Sequence, residues 1–175
     1  MDRGTDFLKS QVNNAVMQHQ TFLKNLEDHE SQAEDQRFRD LCSRYIPHMR
    51  EHQRMLEQYQ QSIGAEAGAG KKLLGAALGL GRDLADAARE SDFLRLVGDI
   101  VTSRQSEDTS RTFAEAGRAL GDANLQQIGE MGLRHHEEYV REANRLISQM
   151  FVEHVRGTDP TLGATNATLN TRPTL

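Results

Sequence analysis

The chain has 175 residues, enough for one domain with a sizeable core and too few to suggest two. Its formal net charge is -5 and no segment carries a basic stripe, which argues against nucleic acid as a partner. Few prolines, no tryptophan and 5% aromatic residues favour a helix-rich protein. No apolar run is long enough to span a membrane and the start is too polar for a signal peptide. The sequence therefore predicts a cytoplasmic protein that does not bind a membrane.

Two amphipathic helices are predicted in the first third of the chain. Apolar residues recur at helical spacing from about residue 6 to residue 30, and again after a polar turn at Ser31–Asp35. A connection this short implies that the two helices are antiparallel neighbours. Pro47 lies inside the second pattern and lacks a backbone donor, so we expect a kink there rather than a new helix. Cys42 is the single cysteine, and we expect it to be buried rather than reactive.

The second half of the chain repeats this arrangement after a glycine-rich connection. Residues 62–70 predict a turn, and the glycine-interrupted helical pattern of Lys71–Arg89 predicts a long crossover with an extra helix. Two further helices are predicted, Ser91–Leu120 and a last one from the Gly121-Asp122 turn to about residue 154. We divide the chain into a helical bundle, residues 1–156, and a disordered Thr-rich tail, residues 157–175. Two hairpins joined by a long crossover predict an all-α four-helix bundle of ferritin-like topology.

Metal-ligating side chains interrupt the apolar stripes near the middle of each predicted helix. His19 lies in the stripe of the first helix, and the stripe of the second helix contains His48 and His52, four residues apart. We expect both imidazoles of this HxxxH pair to project into the bundle. Glu107 lies among small residues in the third helix, and His136 lies on the inward face of the fourth.

A metal site is the interpretation that we favour for these residues. Each polar side chain would cost about 1–3 kcal/mol if it were buried without a partner. Imidazole suits Fe, Zn, Cu or Ni, and Glu51 and Glu137 are flanking candidates for the ligand set. The alternative is a metal-free polar network of the histidines with Glu107 and Arg104 or Arg111. We expect His135 to face solvent and His29 and His154 to be solvated near helix ends.

The segments that carry these residues resemble those of the ferritin-like superfamily, and within it the stress-induced proteins of the YciE/YciF type. HQTFLKNL, from His19, is similar to the family's E-x-x-L-x-x-x-L, and HMREHQRML aligns Glu51 with a family glutamate. SEDTSRTFAEAGRALGD places Glu107 at a ligand glutamate, and GLRHHEEYVREANRL has His135 and His136 where the family has two glutamates. The resemblance covers about residues 15–150 and implies a metal centre of Fe, as one ion or a di-iron pair, or of Zn.

The ligand set departs from the family pattern in one respect, because imidazoles replace carboxylates and no Glu-x-x-His occurs in register. Efficient iron storage is therefore not expected. If the metal is iron, an oxidase or peroxide-consuming activity is implied, and the resemblance further implies a stress-associated role. The His-rich ligand content also resembles that of the hemerythrin-like class, which binds oxygen or iron and is one alternative. The remaining alternative is a metal-free bundle that acts as an interaction protein. We also expect a homodimer, since Gly and Ala between residues 64 and 81 suit close packing against a second subunit.

Overall fold

The computed structural model describes residues 3–65 and 91–158, and in these ranges it contains four helices and no strand. The helices are α1 (Arg3–Gln32), α2 (Gln36–Ser62), α3 (Asp92–Leu120) and α4 (Ala123–Thr158). The prediction of an all-α bundle is confirmed. The predicted crossover helix at 71–89 and all but the first two residues of the predicted tail lie outside the described residues. No helix in the described part of the chain is long and apolar enough to cross a membrane.

The helix ends follow from local signals in the sequence. The Asp35 carboxylate caps α2 by accepting a hydrogen bond from the backbone N–H of Arg37 at 2.8 Å. Gly121 ends α3 with a φ of 71°, which a residue without Cβ adopts at little cost. Asp122 then accepts a hydrogen bond from the backbone N–H of Leu125 at 2.9 Å at the start of α4. The α2 helix continues through Pro47 and does not begin again there.

The four helices pack as two antiparallel hairpins, α1 with α2 and α3 with α4, which meet through α2 with α4 and α1 with α3. Arg37 at the start of α2 pairs with Glu153 near the end of α4, at 2.7 Å. At the other end, the Tyr59 hydroxyl donates to Asp122 at 2.7 Å. Because α2 is thus antiparallel to α4, and α4 to α3, the helices α2 and α3 run in the same direction.

The core contains two apolar clusters with a layer of buried histidines between them. One cluster lies toward the α1–α2 turn and includes Phe22, Leu26, Phe38, Met49, Leu96 and Tyr139. The other lies toward the α3–α4 turn and includes Val12, Val16, Leu56, Phe113, Leu125 and Ile128. The layer between them is formed by His19, His52 and His136.

The backbones of α3 and α4 approach each other closely at glycines. A Cβ atom on Gly129 would lie 2.2 Å from the backbone nitrogen of Ala114, and one on Gly117 would lie 2.3 Å from that of Gln126. A Cβ on Gly132 would lie 2.3 Å from Cε1 of His52. Glycine therefore sets the separation of these helices and leaves room for one of the buried imidazoles.

Candidate metal centre

Three histidines from three different helices meet in the middle of the bundle. His19 from α1 and His52 from α2 are each 2% exposed, and His136 from α4 is 0% exposed. Their ring centroids are separated by 4.5 Å between His19 and His52, 5.3 Å between His19 and His136, and 5.9 Å between His52 and His136. One ring nitrogen from each lies within 4.8 Å of the other two. Among the described residues, this triad is the group of His, Cys, Asp or Glu side chains close enough to share a metal ion.

A chain of hydrogen bonds fixes the tautomer of His19. The Gln53 amide nitrogen donates to the Glu57 carboxylate at 2.7 Å and faces the Val16 carbonyl at 3.5 Å, and both of these groups are acceptors. This arrangement turns the amide oxygen of Gln53 toward His19 Nδ1, at 2.9 Å. The oxygen can only accept, so Nδ1 carries the proton. Nε2 of His19 therefore keeps its lone pair, and it has no hydrogen-bond partner in the described part of the chain.

The other two imidazoles also have one ring nitrogen each without a partner in the described part of the chain. Nδ1 of His52 has no partner among the described residues. Nδ1 of His136 lies 2.9 Å from the Ser103 hydroxyl, whereas its Nε2 has no such partner. Metal-binding histidines are commonly oriented by a hydrogen bond at the nitrogen that does not bind the metal. In the triad, His19 and His136 each have such a hydrogen bond at 2.9 Å.

Burial keeps all three imidazoles neutral at physiological pH. Desolvation lowers the pKa of His19 to about 4, against a smaller opposing effect of the hydrogen bond to Gln53. Desolvation also holds the pKa of His52 and of His136 well below the usual value, and the neighbouring histidines lower both further. A neutral imidazole is the form that binds a metal, so no proton has to be removed before an ion enters.

The spacing of the rings is close to what a single ion requires. With Zn–N bonds of about 2.0–2.1 Å in tetrahedral geometry, imidazole centroids lie about 5 Å apart and the bound nitrogens about 3.4 Å apart. The observed centroid distances of 4.5–5.9 Å lie on both sides of the expected separation of about 5 Å. The nitrogens, which lie within 4.8 Å of one another, would have to approach by up to about 1.4 Å when an ion binds. The site can therefore coordinate one ion with three neutral nitrogen ligands.

The HxxxH pair divides between the core and the surface. His52 projects into the bundle as predicted, but the prediction that His48 also does so is wrong, because His48 is exposed. Met49 occupies the core position in its place, since burying a thioether costs less than burying an imidazole. The ring of His48 lies 5.0 Å from that of His135, which is half-buried rather than projecting freely into solvent. Glu51 is also exposed and stands apart from the triad.

The predicted carboxylates of α3 and α4 lie at the edge of the bundle. Glu107 is half-buried and pairs with Arg111 at 3.1 Å, and Arg111 also pairs with the exposed Glu137 at 3.3 Å. The Glu107 side chain is 14% exposed, but it pairs with Arg111 and does not join the triad, and Ser106 is the more deeply buried of these two neighbours on α3. The ion pairs of Arg111 account for both carboxylates without the histidines. The predicted polar network therefore exists only at the edge, apart from the triad.

A second buried polar group lies in the apolar cluster toward the α1–α2 turn. Asp99 is 1% exposed, and its carboxylate accepts from His29 Nδ1 at 2.8 Å and faces the Tyr139 hydroxyl at 3.4 Å. Burial raises the pKa of Asp99, and the hydrogen bond from His29 opposes that shift. The expectation that His29 is solvated is wrong, because its imidazole joins α1 to α3.

Cys42 is buried as predicted, and burial raises the pKa of its thiol, so it is unreactive.

The sequence reasoning did not identify Gln53, Ser103 and Ser106. Gln53 and Ser103 orient two of the imidazoles, and the hydroxyl of Ser106 is buried beside the triad without a partner among the described residues. One signal was available in the sequence, namely the run of polar residues Asp99, Ser103, Ser106 and Ser110 at helical spacing on α3. A polar stripe on a bundle helix indicates where a buried polar site faces it.

Comparison of the chain with protein-family models, with curated proteins and with solved structures found no match. The function therefore has to be inferred from the geometry of the site.

Proposed function

We propose that this protein binds one transition-metal ion through His19, His52 and His136. The observation that carries the proposal is that three buried imidazoles bring one ring nitrogen each within 4.8 Å of the other two, while each imidazole also has a ring nitrogen without a partner among the described residues. Hydrogen bonds at one ring nitrogen hold His19 to Gln53 and His136 to Ser103, each at 2.9 Å, so these two rings are oriented before an ion arrives. A bound ion would remove the cost of three unsatisfied polar atoms, about 1–3 kcal/mol each.

The composition of the triad favours a single zinc ion. Three imidazoles suit Zn, Cu, Ni or Fe, but a di-iron pair is normally bridged by carboxylates. Within the described residues, no carboxylate belongs to the triad. The nearest negative charge in the hydrogen-bond chain is that of Glu57, which reaches His19 through Gln53 and partly offsets the charge of an ion. Fe(II) is the second choice, and only iron would imply oxidase or peroxide-consuming chemistry.

The broader parts of the proposal are supported by the resemblance and by the direction of the helices. A bundle in which α2 and α3 run in the same direction is compatible with membership of the ferritin-like superfamily. The stress-associated role follows from that resemblance alone. The cytoplasmic location and the homodimer are inferred from the sequence.

The second candidate function is that of a metal-free interaction protein. Two large apolar side chains at consecutive positions near the end of α4 are exposed, Phe151 at 58% and Val152 at 43%. Adjacent exposed apolar groups of this kind favour a contact with another protein. In this case the triad would be a packing feature, with the three imidazoles in edge-to-face contact.

The two histidines of the HxxxH pair provide a matched test of metal binding. The parent protein and the variants His52→Gln and His48→Gln should be purified without a His tag or a chelator, and each analysed for bound metal and titrated with Zn(II) and Fe(II). We expect one equivalent in the parent and in His48→Gln, and loss of binding in His52→Gln. Zinc should also raise the melting temperature of the parent and of His48→Gln only, because ligands that bind the native state stabilise it.

Two results would overturn the proposal. Absence of binding to the parent after reconstitution would leave the metal-free function, and equal loss of binding in His48→Gln would place the ion at the surface. A circular dichroism spectrum of each metal-free variant checks that the helices are intact, so that lost binding is not confused with unfolding.

A further inference from the structure

A small cavity lies beside the triad, between α1 and α3. Its volume is about 10 Å³, and it is bordered by His19, His52 and the hydroxyl-bearing residues Ser106 and Ser110. A volume of this size is about what one water molecule requires. The interface of α1 with α3 is the least extensive of the four in the bundle, and Gln18 and Thr109, also on the cavity wall, are only half-buried. A small molecule therefore has a short path from solvent to two of the three imidazoles.

The hydroxyl of Ser106 differs from the threonine hydroxyls of α3. Thr102, Thr109 and Thr112 each donate to the carbonyl oxygen four residues earlier, which is the ordinary arrangement for a hydroxyl within a helix. Ser106 is 5% exposed, yet its Oγ makes no hydrogen bond within the described part of the chain. A buried polar atom that borders a cavity and lacks a partner indicates a ligand in that cavity.

We propose that the metal position formed by the triad is open, and that its fourth ligand is an exchangeable water or small anion held in this cavity by the Ser106 hydroxyl. This inference rests on the proposed metal-binding function. The hydroxyl can donate to an anion and accept from a water, so it suits either ligand. The described part of the cavity wall contains no carboxylate and no thiol that would close the coordination sphere.

An open position changes the class of the site. Structural zinc sites have four protein ligands, whereas sites with three protein ligands and an exchangeable fourth are those that activate water or bind small molecules. The size of the cavity restricts the fourth ligand to a water-sized group or to an anion that enters end-on. We therefore assign the site to binding of small polar molecules at a metal ion, rather than to stabilisation of the fold.

Substitution of cobalt allows the fourth ligand to be observed directly. The visible bands of protein-bound Co(II) report the geometry and the identity of its ligands, and they can be recorded during titration with sodium azide. We expect a saturable change in the bands of the parent. Ser106→Ala keeps the cavity but removes the hydrogen bond, and it should weaken azide binding by about tenfold, the equivalent of one such bond. Ser106→Val fills the cavity and should abolish the change, whereas the exposed Thr112→Val on the same helix should behave as the parent.

The outcomes separate this inference from the proposed function. If Co(II) binds to the parent and not to His52→Gln, but azide leaves the spectrum unchanged, the site is closed and the inference is overturned while metal binding stands. If azide changes the spectrum of Ser106→Val and of the parent equally, the fourth ligand lies elsewhere. If Co(II) does not bind to the parent, the proposed function fails and the open position fails with it. Ser106→Ala keeps the measurement informative in case the bulkier valine unfolds the helix, which circular dichroism would reveal.

Discussion

The close approach of α3 and α4 makes Gly129 intolerant of a methyl group. A Cβ on Gly129 would lie 2.2 Å from the backbone nitrogen of Ala114 and 2.6 Å from the carbonyl oxygen of Ser110. To restore ordinary contact, the two helices have to move apart by about 1 Å. Neither contacted atom belongs to a flexible side chain, so Gly129→Ala is an overpacking substitution, which typically costs about 1–3 kcal/mol.

Helix propensity acts in the opposite direction and allows a matched control. Alanine is favoured over glycine by about 1 kcal/mol in a helix interior. Gly98, also within α3, is exposed, and a Cβ added there would meet no atom within 4 Å, so Gly98→Ala gains the propensity without a clash. We expect Gly98→Ala to stabilise the protein by up to about 1 kcal/mol, and Gly129→Ala to destabilise it by about 1–2 kcal/mol.

Urea denaturation followed by circular dichroism measures both free energies of unfolding. The two variants should differ from each other by about 2–3 kcal/mol, with the parent between them, and their melting temperatures should fall in the same order. A Gly129→Ala variant as stable as the parent would show that α3 and α4 are further apart than described, and would refute the reasoning. A destabilised Gly98→Ala would show that its environment is not open.

Two further predictions concern the triad itself. For the metal-free protein in a chelator, the free energy of unfolding should fall as the pH is lowered from 7 to 5. The pKa of His19 is lowered to about 4 in the fold and is about 6.5 in the unfolded chain, so the unfolded chain takes up the proton first. This group alone lowers the free energy of unfolding by about 2 kcal/mol at pH 5. In His19→Gln that part of the pH dependence should be absent, which distinguishes the effect of His19 from that of Asp99, whose raised pKa changes the stability in the opposite direction. An unchanged dependence of the free energy of unfolding on pH would mean that His19 is not buried as a neutral group. Gly132→Ala should lower the affinity for Zn(II) without altering a ligand, because its Cβ would lie 2.3 Å from Cε1 of His52, and isothermal titration against Gly98→Ala as control measures the loss. Equal affinities in these two variants would contradict the described position of the His52 ring.

The helices and their ends could be predicted because their signals are local. The start of α3 near Ser91 and the Gly121-Asp122 turn are read correctly from the sequence. At the turn, the left-handed Gly121 and the capping side chain of Asp122 both act within one helical turn. The last helix extends four residues beyond the predicted end near His154. Helix ends depend on few contacts, so errors of this size are expected there.

The orientation of individual side chains was harder to predict, because it depends on how each helix is rotated against its neighbours. A spacing of four residues places His48 and His52 on one face, but that face is wider than the part that becomes buried. Burial of Met49 decides the rotation of α2 and leaves His48 outside. On α3 the buried face is largely polar, so the apolar pattern gave no guide to whether Glu107 or Ser106 faces the core.

The hydrogen bonds that orient the triad follow from tertiary structure alone. Gln53 reaches His19 across 34 positions of the sequence, and Ser103 reaches His136 across 33. Neither pair belongs to a periodic pattern or a short motif. The sequence could therefore nominate the three histidines as buried, but not the residues that form hydrogen bonds with them.

The polar face of α3 packs against the histidine layer. Burying these polar groups costs free energy, and this cost supports the view that the layer binds a ligand. A fully buried leucine would contribute about 1.5–3 kcal/mol at each position, whereas the described layer contains four buried polar atoms without partners, those of His19, His52, His136 and Ser106. Packing within the layer does not compensate for this cost, so the stability of the fold comes from the two apolar clusters on either side. All four atoms would gain partners from one ion and one small ligand in the adjacent cavity. One ion together with its small ligand would therefore account for buried polar residues on all four helices.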